Sequence, residues 1–373
     1  MIAPATPWPA SFASPAAVER AVAELRRGRP VVLLAEAGAG LAVAAETVTP
    51  ERLRWLKAET GQAMLALTAG RAAALKVLPS GHATVLLDLA PWLDAAGIAM
   101  LADATTDLAE PLRGPFQRQK RPPEPWETAA LGLAKLARLL PAAVVGRLPA
   151  GEPLAFALAH DLLAVATAAI AGYEQGAALR LRQVATARVP LQAAEEARIV
   201  AFRPGDGGIE HLAILVGEPD RRQPVLARLH SECFTGDLLG SLKCDCGEQL
   251  QGALKAMTAA GGGIVLYLAQ EGRGIGLMNK LRAYRLQEDG FDTFEANLRL
   301  GFDADERLFL PAALMLRHLG VSRIRLMTNN PDKVAGLAAL GIEVVERVPH
   351  DFPANRHNEA YLASKRLKAG HLF

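Results

Sequence analysis

All three cysteines of this 373-residue chain lie within fourteen positions, at Cys233, Cys244 and Cys246. Three thiolates can occupy three corners of a tetrahedral zinc site, with Zn–S distances of about 2.3 Å. Three protein ligands leave the fourth corner for water, which is the pattern of a catalytic zinc, and the bound metal lowers the pKa of that water to about 7. The cysteine cluster therefore predicts a metal centre with an open position.

Two alternatives to an open metal site remain at this point. His230, shortly before Cys233, is a rival fourth ligand that would close the site and make the zinc structural. Three buried, inert thiols are the other alternative, because unpaired cysteine is among the most buried residue types. The polar neighbours favour chemistry, since a structural site has no need of so many charged and amide groups: Arg228, His230, Ser231, Glu232, Glu248 and Gln249.

Two further polar stretches each lie between a predicted strand and a predicted helix. QEGRGIGL places Glu271 and Arg273 among glycines that let a ligand approach the backbone, and TNNPDK places Thr328 and Lys333 within reach of a phosphate. A tight turn and a helix-capping turn are the respective alternatives. The chain has no G-x-x-x-x-G-K-[ST] motif, which disfavours a Walker-type nucleotide site.

A third polar stretch, DADER, places Asp305 and Arg307 two residues apart. On a helix these side chains would not face one another, whereas in an extended loop they would share a side. Tyr284 lies inside a helix predicted for residues 277–289, where it is equally typical of a core position.

The elements that must position these residues alternate between strand and helix. The apolar runs GIVLYL and RIRLMT, at 263–268 and 323–328, predict strands that are each followed by a turn and a helix. In the first half, Ser14 is a predicted N-cap followed by a proline at the first helical position, and PVVLLAE at 30–36 predicts a buried strand.

The length of the chain exceeds the size at which a single core usually stops growing. We therefore predict two domains, residues 1–175 and 176–373. The predicted fold class is α+β or α/β, with an N-terminal α/β domain and a C-terminal mixed α/β domain.

Composition excludes several function classes. The formal net charge is +2 and no long Lys/Arg run occurs, so neither nucleic acid nor a membrane surface is an expected partner. The apolar stretch 154–173 carries Asp161 and lacks a flanking basic cluster, which predicts a buried or interface helix rather than a membrane span. The N-terminus has no signal-peptide pattern, and three cysteines make no even-numbered disulfide framework, so the expected location is the cytoplasm.

From about Leu179 to its end the chain resembles GTP cyclohydrolase II. The resemblance rests on ARLHSECFTGD, SLKCDCG-x-QL, QEGR-x-IGL, D-T-x-E-AN, GF-x-ADER and LMTNNP-x-K. It implies conversion of GTP, with water, to formate, pyrophosphate and 2,5-diamino-6-ribosylamino-pyrimidinone 5'-phosphate, the first step of riboflavin biosynthesis. It also implies one Zn²⁺ per chain, Mg²⁺ with the triphosphate, and a homodimer.

The same resemblance assigns roles to individual residues. Cys233, Cys244 and Cys246 become zinc ligands, Asp305 the proton acceptor, and Tyr284 the tyrosine linked to ring opening. Arg307 becomes the nucleophile, although a guanidinium with a pKa above about 12 suits an electrostatic clamp on the departing pyrophosphate equally well. The implied GTP contacts are Arg228, Leu229, His230, Ser231, Glu232, Gln249, Glu271, Gly272, Arg273, Thr293, Thr328 and Lys333.

The N-terminal half resembles 3,4-dihydroxy-2-butanone 4-phosphate synthase, through VERAVAELRRGRPVVLLAE and AAETVTPERLRWL. In that family a dense acidic run follows the strand and holds Mg²⁺. Here the corresponding segment is AEAGAGLAVAAE, in which only Glu36 and Glu46 are acidic. We therefore predict a degenerate, non-catalytic domain kept for structure, dimerisation or regulation.

Two rival functions stay open on the sequence alone. One is a paralogue that carries out only part of the reaction, such as ring opening, or acts on another purine nucleotide. The other is a zinc-stabilised regulatory protein that binds GTP without turning it over. A pure sensor has no need of Asp305 and Arg307, which favours an enzyme.

Overall fold

The computed structural model describes residues 8–79, 81–205 and 207–359, which form two compact units. The first unit contains the described residues up to Glu174 together with Met278–Phe291 and Glu295–Asp305, and the remainder forms the second. Each unit combines one sheet with helices, so the predicted fold class of two mixed α/β domains is confirmed. The units are not continuous in sequence, and the domain boundary at 175/176 stays a prediction.

The first unit is built on a six-stranded sheet in the order β4-β3-β5-β2-β1-β6. Strands β1 and β6 pair in parallel, and the other neighbours pair antiparallel. The core below the sheet includes the fully buried Trp126. The strands are β1 Val31–Ala35, β2 Gly38–Ala44, β3 Ala63–Thr68, β4 Thr84–Asp88, β5 Ala142–Arg147 and β6 Leu163–Ala166.

The helices of this half begin where the sequence places caps. Ser14 accepts a hydrogen bond from the Ala17 N–H, as predicted, with Pro15 at the first helical position. The helices are α1 Pro15–Arg26, α2 Pro50–Thr60, α3 Ala69–Ala74, α4 Ala95–Ala102, α5 Pro125–Leu136, α6 Pro153–Ala159, α7 Thr167–Ala171 and α8 Tyr173–Leu179.

The single buried helix predicted for residues 154–173 is wrong. The chain leaves α6 at His160, and Asp161 takes a left-handed φ of 51° that a helix cannot continue through. After Leu162, residues Leu163–Ala166 form β6, because they pair with β1. Among the described residues, no helix is long and apolar enough to span a bilayer.

The second unit is built on a seven-stranded sheet in the order β13-β12-β10-β11-β9-β8-β7. The four strands from β13 to β11 are parallel neighbours, and the rest pair antiparallel. The strands are β7 Leu181–Arg188, β8 Ala197–Pro204, β9 His211–Gly217, β10 Val225–Ser231, β11 Gly262–Leu268, β12 Arg323–Met327 and β13 Glu343–Val348. The remaining helices are α9 Cys246–Ala259, α10 Leu277–Glu288, α11 Thr293–Arg299, α12 Leu310–His318 and α13 Pro331–Ala339.

Candidate functional site

The parallel strands β10, β11 and β12 bring three of the predicted polar stretches to one edge of the second sheet. Strand β10 pairs with both β11 and β12, and the stretches that begin at Glu232, Gln270 and Thr328 follow their carboxyl ends. Ligands of open parallel sheets bind outside these carboxyl ends. The sheet topology therefore gathers residues that lie up to a hundred positions apart in sequence.

The three thiols lie together beside this edge. Their sulfur atoms are all within 4.8 Å of one another, and the Sγ atoms of Cys233 and Cys244 are 3.7 Å apart. Two ligands at tetrahedral angles and about 2.3 Å from zinc would be separated by about 3.8 Å. Cys233 and Cys244 are buried and Cys246 is partly exposed. The donor set and its spacing therefore fit a zinc ion.

Gly236 forms the floor of the thiol cluster, within a short π-helical turn at Phe234–Leu238. Its N–H donates to Cys233 Sγ at 3.3 Å. A Cβ placed on Gly236 would lie 2.9 Å from the Cys244 sulfur and 3.0 Å from that of Cys233. Such distances are too short for real contacts, so only glycine leaves room for the sulfurs at this spacing.

The pKa values of two of the thiols, Cys244 and Cys246, are raised by the packing of the cluster. The pKa of Cys244 is raised chiefly by its hydrogen bond with Cys233, and the pKa of Cys246 is raised well above its ordinary value by the same neighbour. Three thiolates packed this closely need a positive charge among them. The cluster is therefore suited to a metal rather than to a reactive cysteine.

We predict that Gly236→Ala lowers the zinc content of the purified protein. The added methyl group must push two sulfurs out of tetrahedral spacing. Metal analysis of the purified variant checks this, and we expect less than half of the wild-type stoichiometry. Gly176→Ala is the matched control, because its Cβ would meet only the flexible end of Arg180. Full zinc occupancy in Gly236→Ala would contradict the requirement for glycine beneath the sulfur atoms.

His230 lies with Asp237 and not with the thiols. Both oxygens of Asp237 are 3.0 Å from His230 Nε2, and the same carboxylate accepts hydrogen bonds from the Cys233 N–H at 3.0 Å and the Tyr267 hydroxyl at 2.9 Å. Within the described ranges, the metal-ligating group comprises the three cysteines without His230. This arrangement favours the open Cys₃ site over the closed Cys₃His alternative.

The other ring nitrogen of His230 has no hydrogen-bond partner among the described residues, although it is buried. Burial lowers the pKa of His230, so the imidazole is neutral at neutral pH. With Nε2–H donated to Asp237, Nδ1 is left as an acceptor. A buried acceptor without a partner is costly, and it points to a ligand N–H.

Arg228 is a buried cation beside the same edge, with 5% of its surface exposed. Its guanidinium donates to the Met327 carbonyl at 3.3 Å and to the side-chain oxygen of Gln249, while Nε has no partner among the described residues. Burial lowers the pKa of Arg228 to about 10, so the group still carries its charge at neutral pH. Arg228 and Gln249, each predicted as a GTP contact, are thus brought together.

Glu271 accepts backbone hydrogen bonds. One carboxylate oxygen accepts from the Phe234 N–H at 2.6 Å and the other from its neighbour Gly272 at 2.9 Å. The buried carboxylate thereby holds the residue that follows Cys233. This is a positioning contact beside the thiols, and the GTP contact expected of Glu271 stays a prediction.

Arg273 lies in a left-handed turn, with φ of 63°, an uncommon conformation for a residue other than glycine. Its guanidinium carbon is 4.8 Å from the centre of the Phe294 ring, next to Thr293. Its carbonyl accepts from the Glu306 N–H at 3.1 Å, which brings the loop that carries Arg307 to this turn.

Thr328 and Lys333 follow strand β12 at the same edge. Thr328 Oγ1 accepts from the Asn330 N–H at 3.1 Å, and Asn330 in turn caps α13. The capping-turn alternative therefore describes the backbone of this stretch. Lys333 reaches back to β10 and donates to the Leu229 carbonyl at 2.8 Å. Ser231 ends the same strand, and the Glu232 N–H bonds to β11 through the Leu268 carbonyl at 2.8 Å.

Comparison with known proteins identifies the family. A family model described as GTP cyclohydrolase II matches residues 182–349. The protein named GTP cyclohydrolase-2 of Azospirillum brasilense is 53% identical over 371 residues, which cover 98% of this chain and 96% of the relative. This chain belongs to the GTP cyclohydrolase II family.

Further relatives agree with this membership. Riboflavin biosynthesis protein RibBA of Parabacteroides distasonis is 35% identical over 399 residues, covering 95% of this chain and 97% of the relative. GTP cyclohydrolase-2 of Azotobacter vinelandii is 59% identical over 165 residues, covering 44% of this chain and 79% of the relative. The protein is accordingly a hydrolase of riboflavin biosynthesis.

Three residues that contact the predicted site residues were missed from the sequence. Asp237 holds His230, and Asp245 accepts from the side-chain amide of Gln249 at 2.6 Å. His350, whose pKa burial lowers to about 4, lies with Nε2 at 2.8 Å from the Gln249 carbonyl. Asp237 and Asp245 stand within or beside the cysteine motifs, and that proximity was the available signal. His350 had no such signal.

Two residues predicted for catalysis belong to the first compact unit. Tyr284, in α10, lies with its ring centre 5.6 Å from Lys280 Nζ, and Asp305 ends the last segment of that unit. Arg307 belongs to the second unit, in the loop before α12. The geometry described above thus brings together the thiols, Arg228, Gln249 and Lys333, and it does not include Tyr284 or Asp305.

The two acidic residues predicted as remnants in the N-terminal half are separately placed. Glu36 is exposed in the turn between β1 and β2. Glu46 accepts a hydrogen bond from the Leu140 N–H at 2.9 Å and forms an ion pair with Arg282 at 2.8 Å. Glu46 is therefore engaged in structural contacts.

Proposed function

We propose that this member of the GTP cyclohydrolase II family uses zinc to convert GTP and water to formate, pyrophosphate and 2,5-diamino-6-ribosylamino-pyrimidinone 5'-phosphate. The observation that carries the proposal is the cluster of three thiols at tetrahedral spacing, beside a strand edge with buried Arg228 and His230. Zinc bound by these thiols would supply a nucleophile from water at neutral pH for opening the imidazole ring.

The chain's own residues would bind and orient the base. The Nδ1 acceptor of His230 suits an N–H of the guanine ring, and Asp237 fixes the tautomer and the ring orientation. The Asp237 carboxylate also binds the Cys233 N–H, which couples the orientation of His230 to the first metal ligand. Asp305 as proton acceptor and Tyr284 in ring opening complete the proposed catalytic set.

Cationic groups would bind the triphosphate, together with Mg²⁺. Arg228 has an Nε–H without a partner among the described residues, and a guanidinium binds phosphate through several donors. Lys333 and Arg273 lie on the stretches that flank the same strand edge. Leu229, Ser231, Glu232, Gln249, Glu271, Gly272, Thr293 and Thr328 remain proposed substrate contacts. Arg307 acts either as a clamp on the departing pyrophosphate or as the nucleophile that displaces it from the α-phosphorus.

The assembly and location follow from the same proposal. The family resemblance supports a homodimer. Three clustered cysteines make no even-numbered disulfide framework, which suits a reducing compartment such as the cytoplasm.

A single assay separates this proposal from its rivals. The purified protein is incubated with GTP and Mg²⁺, and both formate and pyrophosphate are measured. We expect both products. Formate without pyrophosphate would support the partial-reaction enzyme, and neither product would support a GTP-binding regulator.

We further propose that the N-terminal half is a non-catalytic relative of 3,4-dihydroxy-2-butanone 4-phosphate synthase. The support is the alanine-rich segment where that family has its acidic run, and the engagement of Glu46 by Leu140 and Arg282. Two carboxylates, one exposed and one already paired, cannot hold Mg²⁺ as a cluster of oxygen ligands does.

We predict that the full-length protein does not form dihydroxybutanone phosphate from ribulose 5-phosphate in the presence of Mg²⁺. The product is measured chromatographically, with a genuine synthase as the positive control and the Glu46→Gln variant as the background. Turnover that exceeds this background would show that the N-terminal half is an active synthase.

A further inference from the structure

Part of the sequence matched by the GTP cyclohydrolase II family clusters with the N-terminal half of the chain. Residues Met278–Phe291 and Glu295–Asp305 lie within the matched range 182–349 but belong to the first compact unit. These two segments contain most of α10 and α11, and they carry the proposed catalytic residues Tyr284 and Asp305. The contacts that hold them within the first unit are therefore contacts to a domain that has no proposed chemistry of its own.

Arg282 is the main polar anchor of α10. Its guanidinium forms an ion pair with Glu46 at 2.8 Å and another with Asp103 at 3.1 Å, and it donates to Asn279 at 2.8 Å. The side chains of Arg282, Glu46 and Asp103 are each between 21% and 26% exposed, so the pairs are shielded from solvent. An arginine with both edges of its fork engaged fixes orientation better than a single charge contact does.

Asn279, fully buried, adds a contact from the same helix and donates to the Arg138 carbonyl at 3.1 Å. Arg282 and Tyr284 are two residues apart and so lie about 200° apart around the helix. The face that carries Arg282 is thus held by the N-terminal half, and Tyr284 lies on the opposite side of the helix from Arg282.

The second segment is held in the same manner. The buried Arg71 donates to the Arg299 carbonyl at 3.4 Å and binds Asp107 at 2.5 Å, and Lys135 pairs with Asp303 at 3.1 Å. Gly70 allows a close backbone approach, since a Cβ there would lie 2.8 Å from the Leu298 carbonyl oxygen.

We propose that Glu46 and Asp103, through Arg282, are positioning residues for the cyclohydrolase reaction, and that the N-terminal half holds the segment that carries Tyr284 and Asp305. The role in turnover rests on the proposed function; the holding of α10 does not. Glu46 is then retained for its ion pair with Arg282 rather than for Mg²⁺ binding. This explains why the N-terminal half keeps Glu46 although it lacks the acidic run of the synthase family.

The test compares Glu46→Gln with the wild type in the full-length protein. Glutamine can still accept from the Leu140 N–H but cannot pair with Arg282. We expect faster hydrogen–deuterium exchange in peptides covering residues 277–288, and a kcat for formate release that falls about 10-fold, since small misplacements of catalytic groups cost rate. KM for GTP and zinc content should stay unchanged. Glu51→Gln, at an exposed surface pair, is the control.

A double-mutant cycle with Arg282→Gln sharpens the test, because the double variant should be no slower than either single one.

If Glu46→Gln does not fold, Gly70→Ala replaces it as a steric displacement of α11. Gly132→Ala is the control, because its Cβ would make only an ordinary contact with Ile170. For Glu46→Gln, unchanged hydrogen–deuterium exchange in residues 277–288 would overturn the holding role. For Gly70→Ala, unchanged exchange in residues 293–305 would do the same. Faster exchange with unchanged kcat would overturn the positioning role. A wild-type protein without activity would overturn the proposed function. The holding role would then be tested by the hydrogen–deuterium exchange alone.

Discussion

The Cys244→Ser protein should remain folded, contain little zinc and release no measurable formate from GTP. Cys244 is buried, with its sulfur 3.7 Å from that of Cys233, and a serine oxygen is a poor replacement for a thiolate ligand of zinc. Loss of an outer-shell partner of a metal ligand already costs about 10- to 100-fold in affinity or activity, so we expect a loss of more than about 100-fold when a ligand itself is removed.

The measurements are metal content, thermal midpoint and formate release on the same preparation. Leu242→Ser is a suitable control, because it introduces a serine two positions away at a side chain that is 59% exposed. In a structural Cys₃His site, ligand loss would unfold the region, since the binding energy of such a metal is folding energy. A fall of many degrees in the thermal midpoint, reproduced by His230→Ala, would therefore contradict the catalytic assignment. Formate release by a zinc-free variant would contradict a role for zinc altogether.

Local patterns in the sequence predicted the elements that carry the site. The runs at 263–268 and 323–328 are confirmed as strands β11 and β12, and the helix predicted for 277–289 is confirmed as α10. These predictions succeeded because strand and helix periodicity, with glycine and proline at the ends, is written in neighbouring residues. The clustering of the thiols could also be predicted, since all three cysteines fall in one short stretch.

The contacts that the sequence does not reveal are those between distant residues. Arg282 and Glu46 are 236 positions apart, and no local pattern indicates that they meet. The family resemblance implies a GTP contact for Glu271, which stays a prediction, but it does not indicate that the Glu271 carboxylate accepts a hydrogen bond from the Phe234 N–H, 37 positions away. In the 154–173 stretch, apolar composition suited a buried helix and a buried strand equally well, and pairing with β1 decided the outcome.

The Arg307→Ala protein should lose pyrophosphate release while it keeps its zinc. Arg307 lies in the loop whose neighbour Glu306 bonds to the Arg273 carbonyl at 3.1 Å, within the second unit. Removal of a single donor that stabilises charge developing in a transition state costs about 100- to 1,000-fold in kcat. A clamp on the departing pyrophosphate and a covalent nucleophile both predict this loss.

Detection of a covalent intermediate separates the two roles of Arg307. Lysine keeps the positive charge but loses the planar fork, and it is itself a nitrogen nucleophile, so partial activity in Arg307→Lys fits either role. A covalent guanidinium predicts a nucleotide bound to Arg307 in the wild-type protein, measured by mass spectrometry after rapid quenching, whereas a clamp predicts no such adduct. Arg198→Ala is the control, because Arg198 forms an exposed ion pair with Glu218 on the same unit, and such pairs contribute only about 0–1 kcal/mol. Near-normal pyrophosphate release by Arg307→Ala, with GTP and Mg²⁺ in excess, would contradict both roles. Removal of a group that stabilises the leaving pyrophosphate must slow its release.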